Sequence, residues 1–91
     1  MDVRVEHEPG RFFARVGDLE GEIVYERRGD VLDVQHTWTP PALRGNDVAA
    51  RLTDAAFAYA REHGLRIVPT CSYTRAWVAR HPEVASLVAP A

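Results

Sequence analysis

Apolar and polar residues alternate along the first part of the chain with the period of two that is typical of β-strands. The alternating runs are Val3–His7, Arg11–Val16, Glu22–Arg27 and Val31–Trp38. Short connections that contain Gly10, Gly17 or Gly29 separate these runs, which favours an antiparallel meander. The first part of the chain therefore predicts three or four strands.

The last of these runs assigns residues to the two faces of the sheet. One face is predicted to carry Leu32, Val34, His36 and Trp38, and the other Asp33, Gln35 and Thr37. Pro40 and Pro41 then end the strand, because proline donates no backbone N–H and restricts the residue before it to extended angles.

Beyond the two prolines, the apolar spacing changes to the period of an α-helix. The predicted buried stripe is Val48, Leu52, Ala56 and Tyr59. Asn46 is a suitable N-cap residue, and His63-Gly64 is typical of a helix end. This stretch therefore predicts one long helix that begins near residue 46 and ends at residue 63.

A short apolar run, Leu65–Thr70, follows the long helix and predicts an interior strand. Ser72 or Thr74 can then cap a second, shorter helix that ends at Arg80. A meander followed by a strand–helix–strand crossover gives a mixed sheet with helices packed on it. The sequence therefore predicts an α+β fold.

Length and composition indicate the number of domains and exclude several classes of function. A chain of 91 residues has the size of one domain, over residues 1–91, because two hydrophobic cores need a longer chain. The formal net charge of -2 argues against bulk nucleic-acid binding, which depends on a basic surface. The single cysteine excludes an internal disulfide, and no run predicts a signal peptide or a membrane span. We therefore expect a cytoplasmic protein that binds neither nucleic acid nor membrane.

The turn between the prolines and the long helix is the strongest candidate site. A helix start leaves backbone N–H groups without intrahelical acceptors, and the helix dipole adds partial positive charge there. Gly45 allows a close approach to the backbone, and Arg44 can pair with phosphate oxygens. The turn therefore fits a diphosphate; the alternative is a purely structural helix start with a solvated arginine.

Two stretches carry a resemblance to a known family. They are HTWTPPALRGNDVAARL, which begins at His36, and YAREHGLRIVPTCSY, which begins at Tyr59. Together they resemble the acetyl-CoA-binding core of the GNAT N-acetyltransferase superfamily, and specifically its minimal, single-domain GNAT-like subfamily. The pyrophosphate signature of that family is Q/R-x-x-G-x-G/A. Arg44 matches its first position and Ala49 its last, whereas Asp47 stands where the family has glycine.

The resemblance implies that acetyl-CoA is the co-substrate, with its diphosphate on the turn and its pantetheine arm along the strand that ends at Trp38. The residues implied to bind it are Thr37, Trp38, Thr39, Arg44, Gly45, Asn46, Asp47, Val48 and Ala49. For Trp38, the alternative is an anchoring aromatic of the core. The Asp47 side chain is expected to turn toward Arg51, four residues on, and away from the diphosphate.

Three residues are implied to act in catalysis: Cys71, Tyr73 and His36. Cys71 would be a nucleophile or a proton donor, Tyr73 the general acid for the CoA thiolate, and His36 a general base near neutral pH. The structural alternatives are, in the same order, a small buried hydrophobe, a half-buried aromatic beside the helix and a core histidine. The histidines and the one cysteine lack the spacing of a metal site, so no metal is expected.

The resemblance implies acetyl-CoA-dependent N-acetylation of an amine. Little sequence is left over for an acceptor pocket, so the acceptor could be an amine on a protein or peptide, or a homodimer could complete the pocket. The alternative is a non-catalytic acyl-CoA-binding or sensor module. Such a module would need the turn and the long helix but neither Cys71 nor Tyr73.

Overall fold

The computed structural model describes residues 3–45 and 47–89, in which five strands form one sheet and two α-helices pack on it. The strands are β1 (Val5–Glu8), β2 (Arg11–Val16), β3 (Leu19–Arg28), β4 (Val31–Trp38) and β5 (Arg66–Pro69). The helices are α1 (Val48–His63) and α2 (Ser72–Arg80), and 3-10 turns occupy Pro41–Leu43 and Pro82–Leu87. The predicted α+β fold is confirmed, with the long helix after the fourth strand.

The strands lie side by side in chain order. β1 to β4 form an antiparallel meander, and β5 pairs with β4 in the parallel direction. Gly17 and Gly29, in the connections on either side of β3, have left-handed backbone angles with φ of 61° and 58°. Glycine reaches this conformation without a steric penalty, which suits tight hairpin turns. The parallel β4–β5 pair needs a crossover, and α1 provides it.

Helix α1 packs its apolar face on the sheet. Its buried apolar residues are Val48, Leu52, Ala56, Phe57 and Ala60. Tyr59, the last member of the predicted stripe, is half-buried. The helix ends where predicted, with Gly64 in the left-handed conformation at φ 67°. Within the described residues, neither helix combines the length and the apolar character that crossing a membrane requires.

Gly21 in β3 allows the first turn of α1 to lie directly against the sheet. A Cβ atom at this position would lie 2.9 Å from Cγ1 of Val48 and 3.3 Å from the carbonyl oxygen of Trp38. Both distances are shorter than ordinary van der Waals contacts, so only glycine fits without a shift. The close approach sets the start of α1 beside the end of β4.

A β-bulge interrupts β4 at Gln35. Val34 pairs with Tyr25 of β3, but the next pair along β3 is Val24 with His36. Gln35 is therefore the extra residue on β4. A bulge of this kind depends on the pairing of two strands and reverses the alternation of faces that follows it.

The bulge corrects the predicted faces of β4. Thr37 pairs with Ile23, which is buried under the helices, so Thr37 shares the helix-covered face. His36 and Trp38 lie on the opposite face, where His36 is exposed and Trp38 is 44% exposed. The prediction that these two residues share a face with Leu32 and Val34 is wrong. The alternative interpretations, in which His36 is a core histidine and Trp38 an aromatic anchor of the core, are also wrong.

The sheet face opposite the helices carries a network of ion pairs. Arg11 contacts carboxylate oxygens of Glu20 and Glu22 at 3.1 and 2.8 Å, and Arg28 contacts Asp33 at 3.0 Å. Exposed ion pairs contribute little to stability individually. A charged outer face nevertheless lets an antiparallel meander bury only one of its two sides.

Candidate functional site

Strands β4 and β5 separate at the end of their pairing. The last pair is Val34 with Pro69, after which β5 ends while β4 continues to Trp38. Proline has no N–H to extend the ladder. The backbone N–H of Cys71 donates to the carbonyl oxygen of Val34 at 2.9 Å and makes the final link. Beyond it, the β5-facing edge of residues 35–38 is available to pair with a bound chain.

A cavity of about 400 Å³ lies beside this edge, between the end of β4 and the start of α1. It is lined by Thr37, Trp38, Thr39, Leu43, Arg44, Gly45, Asp47, Val48, Ala49, Ala50 and Tyr73. The structure thus brings together the residues that the sequence motif assigns to the cofactor. The exception is Asn46, which lies outside the described residues.

The start of α1 presents backbone donors to this cavity. The first helical hydrogen bond runs from the N–H of Arg51 to the carbonyl oxygen of Asp47, at 2.9 Å. The N–H groups of Val48, Ala49 and Ala50 precede it, so they have no acceptor within the helix. These three donors and the positive end of the helix dipole favour an anion at this position.

Asp47 occupies the N-cap position of α1, whereas the sequence places the cap at Asn46. Its φ of 60° is the only positive value for a non-glycine residue in the described ranges. The expected ion pair between Asp47 and Arg51 is wrong for the described structure, where salt bridges do not join these residues. The expectation assumed that Asp47 lies in the first helical turn, but it precedes the helix in a left-handed conformation.

Arg44 is exposed but held against the end of β4. Its Nε donates to the carbonyl oxygen of Thr39 at 3.2 Å, and its guanidinium carbon lies 5.6 Å from the centre of the Trp38 ring. The other guanidinium nitrogens are not used in this bond. Arg44 therefore places a positive charge at the rim of the cavity, close to the start of α1.

Cys71 occupies the N-cap of α2 and is half-buried. Its Sγ lies 3.4 Å from Oγ1 of Thr37, a contact that exists because the bulge turns Thr37 toward the helices. Burial raises the pKa of the Cys71 thiol, but hydrogen bonds from Thr37 and from the backbone N–H groups of Thr74 and Tyr73 outweigh burial, so this pKa lies below its ordinary value. These donors favour the thiolate form of Cys71.

Tyr73 lies in the first turn of α2 and lines the cavity. Burial raises the pKa of its phenol above the usual value; the charge of Arg80 lowers this pKa by less than burial raises it, and the charge of Asp47 raises it slightly further. Tyr73 therefore holds its proton at neutral pH and can give it to a strong base in the cavity.

His36 lies apart from the other two predicted catalytic residues. The bulge turns its side chain to the sheet face opposite Cys71 and Tyr73, where it is exposed. It borders the same unpaired stretch of β4, but from the other side. The structure therefore brings Cys71 and Tyr73 to one face and His36 to the other.

Asp33 is a buried carboxylate that the sequence did not single out. It is 7% exposed and accepts hydrogen bonds from Oγ1 of Thr70, from Arg28 at 3.0 Å and from Nε2 of Gln35 at 3.4 Å. The alternation placed Asp33 on a polar face and gave no sign of its burial. The available signal was the residue type itself, because aspartate is depleted in strands.

Known proteins are similar to this chain in sequence and in fold. The sequence model of the family described as GCN5-related N-acetyl-transferase matches residues 11–87. Protein NATD1 of Bos taurus is 36% identical over 85 residues, which cover 88% of this chain and 75% of that protein. Protein NATD1 of Homo sapiens is 35% identical over 85 residues, with coverage of 88% and 75%.

The solved structure of a GCN5-like protein from Staphylococcus aureus, determined by NMR in solution, has a similar fold. It superimposes with a TM-score of 0.77 over 97% of this chain and 89% of that chain. The sequence identity is 21%, so the likeness concerns the fold alone.

Proposed function

The chain belongs to the GCN5-related N-acetyltransferase family, and we propose that it transfers the acetyl group of acetyl-CoA to an amine. One observation carries the proposal. The unpaired edge of β4 and the free N–H groups of α1 border the same cavity. An extended arm that ends in a diphosphate needs these two features side by side.

The residues present fit acetyl-CoA. The N–H groups of Val48, Ala49 and Ala50 and the guanidinium of Arg44 would hold the diphosphate, as anion sites at helix starts do. The backbone of residues 35–38 would pair with the amides of the pantetheine arm. Oγ1 of Thr39 is buried beside the cavity without a hydrogen-bond partner among the described residues, so it has capacity for one more contact.

Acetyl-CoA supplies an activated acetyl thioester when it is bound. The lowered pKa of Cys71 suits a thiolate nucleophile that takes the acetyl group on Sγ as the thioester C–S bond breaks. The Tyr73 phenol, which keeps its proton at neutral pH, would be the acid that protonates the departing CoA sulfur. An amine then forms the amide C–N bond and releases Sγ of Cys71.

The amine must also lose a proton, and His36 is our candidate base. Its side chain faces the side of the sheet that the helices leave open, and it does not line the cavity between the end of β4 and the start of α1. An acceptor that approaches from the open face would meet His36 before it reaches the acetyl group. We infer that the acceptor is an amine carried by a peptide or protein, because an open face can admit a chain.

The test combines binding and turnover on the same variants. Peptides with a free N-terminal amine or a lysine serve as acceptors, and mass spectrometry measures their acetylation. We expect Tyr73→Phe to lower turnover about 100-fold, the usual contribution of a general acid, and Cys71→Ala to abolish it. Both variants should keep the affinity for acetyl-CoA. Tyr59→Phe, which removes a hydroxyl near the other end of α1, is the matched control and should keep full turnover.

Two results would contradict this assignment. If Cys71→Ala and Tyr73→Phe turn over at the normal rate, these residues are not catalytic. If the unaltered protein binds acetyl-CoA but acetylates none of the peptides or free amines, the chain is an acyl-CoA-binding module rather than an enzyme.

A further inference from the structure

Asp33 connects three parts of the chain at the point where β4 and β5 separate. Arg28 reaches it from β3, Gln35 is the bulge residue of β4, and Thr70 directly follows the end of β5. Asp33 is the only side chain of the charged types (Asp, Glu, Lys, Arg) that is buried in the described ranges. A carboxylate loses its hydration on burial and is retained only where charged and hydrogen-bonding partners replace the water.

The contact with Thr70 controls the direction of the next residue. The Thr70 side chain points to the open face of the sheet, where it meets Asp33. Cys71 has extended backbone angles, φ -67° and ψ 134°, and its sulfur points to the helix-covered face beside Thr37. The two neighbouring side chains therefore lie on opposite faces of the sheet at the exit of β5. The position of Thr70 on one face therefore sets the position of Sγ on the other.

The Cys71 backbone is fixed on the same strand. Its N–H donates to the carbonyl oxygen of Val34, the residue between Asp33 and the bulge. The chain thus passes through two fixed points in succession, the side chain of Thr70 on Asp33 and the N–H of Cys71 on Val34.

Without the first point, the exit of β5 keeps the second and two backbone contacts of Thr70. Its N–H donates to the carbonyl oxygen of Val68 at 3.0 Å, and its carbonyl oxygen accepts from Arg75 of α2 at 3.2 Å. These backbone contacts leave the direction of the Thr70 side chain to Asp33.

We propose that Asp33 is a positioning residue, whose carboxylate holds Thr70 and thereby keeps Sγ of Cys71 within hydrogen-bond reach of Thr37. The consequence for acetyl transfer rests on the proposed function, but the effect on the thiol itself does not. The charged groups that face Asp33 are Arg28 and, through Arg28 and Gln35, the carboxylate of Glu26. The positive charge of Arg28 offsets the negative charge of Asp33. We therefore assign Asp33 the role of holding Thr70 by a hydrogen bond rather than that of repelling the Cys71 thiolate.

The pKa of the Cys71 thiol is the quantity that tests this positioning role. Cys71 is the only cysteine of the chain, so the rate of alkylation by iodoacetamide as a function of pH gives its pKa directly. The variants are Asp33→Asn, which replaces the carboxylate by a neutral amide and weakens the contact, Thr70→Val, which removes the contact, and Thr70→Ser, which keeps the hydroxyl. Glu26→Gln is the matched control, because it changes a carboxylate that contacts Arg28 and Gln35 but forms no hydrogen bond with Thr70 in the described structure.

We expect Asp33→Asn and Thr70→Val to raise the pKa of the Cys71 thiol by about one unit, which lowers its thiolate fraction at neutral pH about tenfold. Thr70→Ser and Glu26→Gln should leave that pKa unchanged. The direction discriminates between two explanations. If Asp33 acted only through its charge, its removal would favour the thiolate and lower the pKa.

A lowered or unchanged pKa in Asp33→Asn, or an unchanged pKa in Thr70→Val, would overturn the proposal. Urea unfolding of each variant shows whether it is folded. If Asp33→Asn does not fold, Thr70→Val decides, because Thr70 is exposed and Asp33 keeps Arg28 and Gln35 as partners after this substitution. Alkylation needs no acetyl-CoA, so a protein that fails to bind acetyl-CoA still tests the positioning role.

Discussion

Asp47 occupies a backbone position that suits glycine better than aspartate. Its left-handed conformation, with φ 60°, costs a residue with a Cβ atom about 1 kcal/mol. Its carboxylate also stands at the start of α1, where the diphosphate is proposed. At a separation of about 5 Å, one pair of like charges costs roughly 1 kcal/mol in water and several times more without it. We therefore expect Asp47 to weaken acetyl-CoA binding at the proposed site.

Asp47→Gly should bind acetyl-CoA about fivefold tighter, because about 1 kcal/mol of repulsion is removed. Asp47→Asn tests the charge separately, since asparagine also tolerates the left-handed conformation, and it should recover most of the gain. Calorimetry of the three proteins measures the effect. Equal affinity in all three would show that Asp47 does not face the diphosphate.

Single residues of the cavity could be predicted from the sequence because the motif is local. Arg44, Gly45 and Ala49 lie close together in the sequence, at the turn that leads into α1, and this proximity alone is enough to bring them to one cavity. Asp33 could not be predicted, because its partners Thr70 and Arg28 come from other strands. The sequence pattern of one strand does not show which of its polar residues will accept a hydrogen bond from a hydroxyl on another part of the chain.

At the scale of elements, strands and helices followed from periodicity, but the bulge did not. Alternation correctly predicted where β4 begins and ends, since it depends on residue types in sequence. The extra residue Gln35 arises from the pairing of β4 with β3, which a single strand does not specify. One missed residue reversed the faces of His36, Thr37 and Trp38, which are the residues beside the site.

Gly21 provides a direct test of how β3 positions α1. Gly21→Ala should lower the free energy of unfolding by about 1–3 kcal/mol, the usual cost of overpacking a core. The new Cβ would lie 2.9 Å from Cγ1 of Val48. Val48→Ala in the same chain removes that atom and should restore part of the loss, measured by urea unfolding. If Gly21→Ala is as stable as the unaltered protein, the contact does not set the position of α1.

At the scale of the whole molecule, the sheet is covered by helices on one side and by ion pairs on the other. The candidate site lies where β4 and β5 separate, so both sides reach it. Cys71 and Tyr73 belong to the covered side, and His36 to the open side. Under the proposed function, a two-sided site of this kind would let the acetyl donor and the amine acceptor approach the same atom from opposite directions.

Acid should weaken the fold partly through Asp33. Thr70, followed by Arg28 and Gln35, holds the pKa of Asp33 below its usual value against the opposing effect of burial. The unfolded chain therefore takes up this proton at a higher pH than the folded chain does. The stability from Asp33 is present above about pH 4 and is lost as pH falls through the folded-state pKa.

Urea unfolding at several pH values measures this loss. Asp33→Asn should be less stable than the unaltered protein at pH 7, and the difference should shrink as the pH falls below about 4. Asp54→Asn, at an exposed position of α1, is the control and should follow the unaltered protein. A difference for Asp33→Asn that stays constant down to pH 3 would contradict the lowered pKa.

The central claim is that the start of α1 and the edge of β4 form an acetyl-CoA site, and calorimetry tests it most directly. The titrants are acetyl-CoA, CoA and an unrelated dinucleotide. We expect selective micromolar binding of acetyl-CoA that weakens about tenfold or more in Arg44→Ala, the loss of a charge-assisted phosphate contact. Arg61→Ala, exposed near the other end of α1, should bind normally. The absence of binding at millimolar acetyl-CoA would contradict the claim.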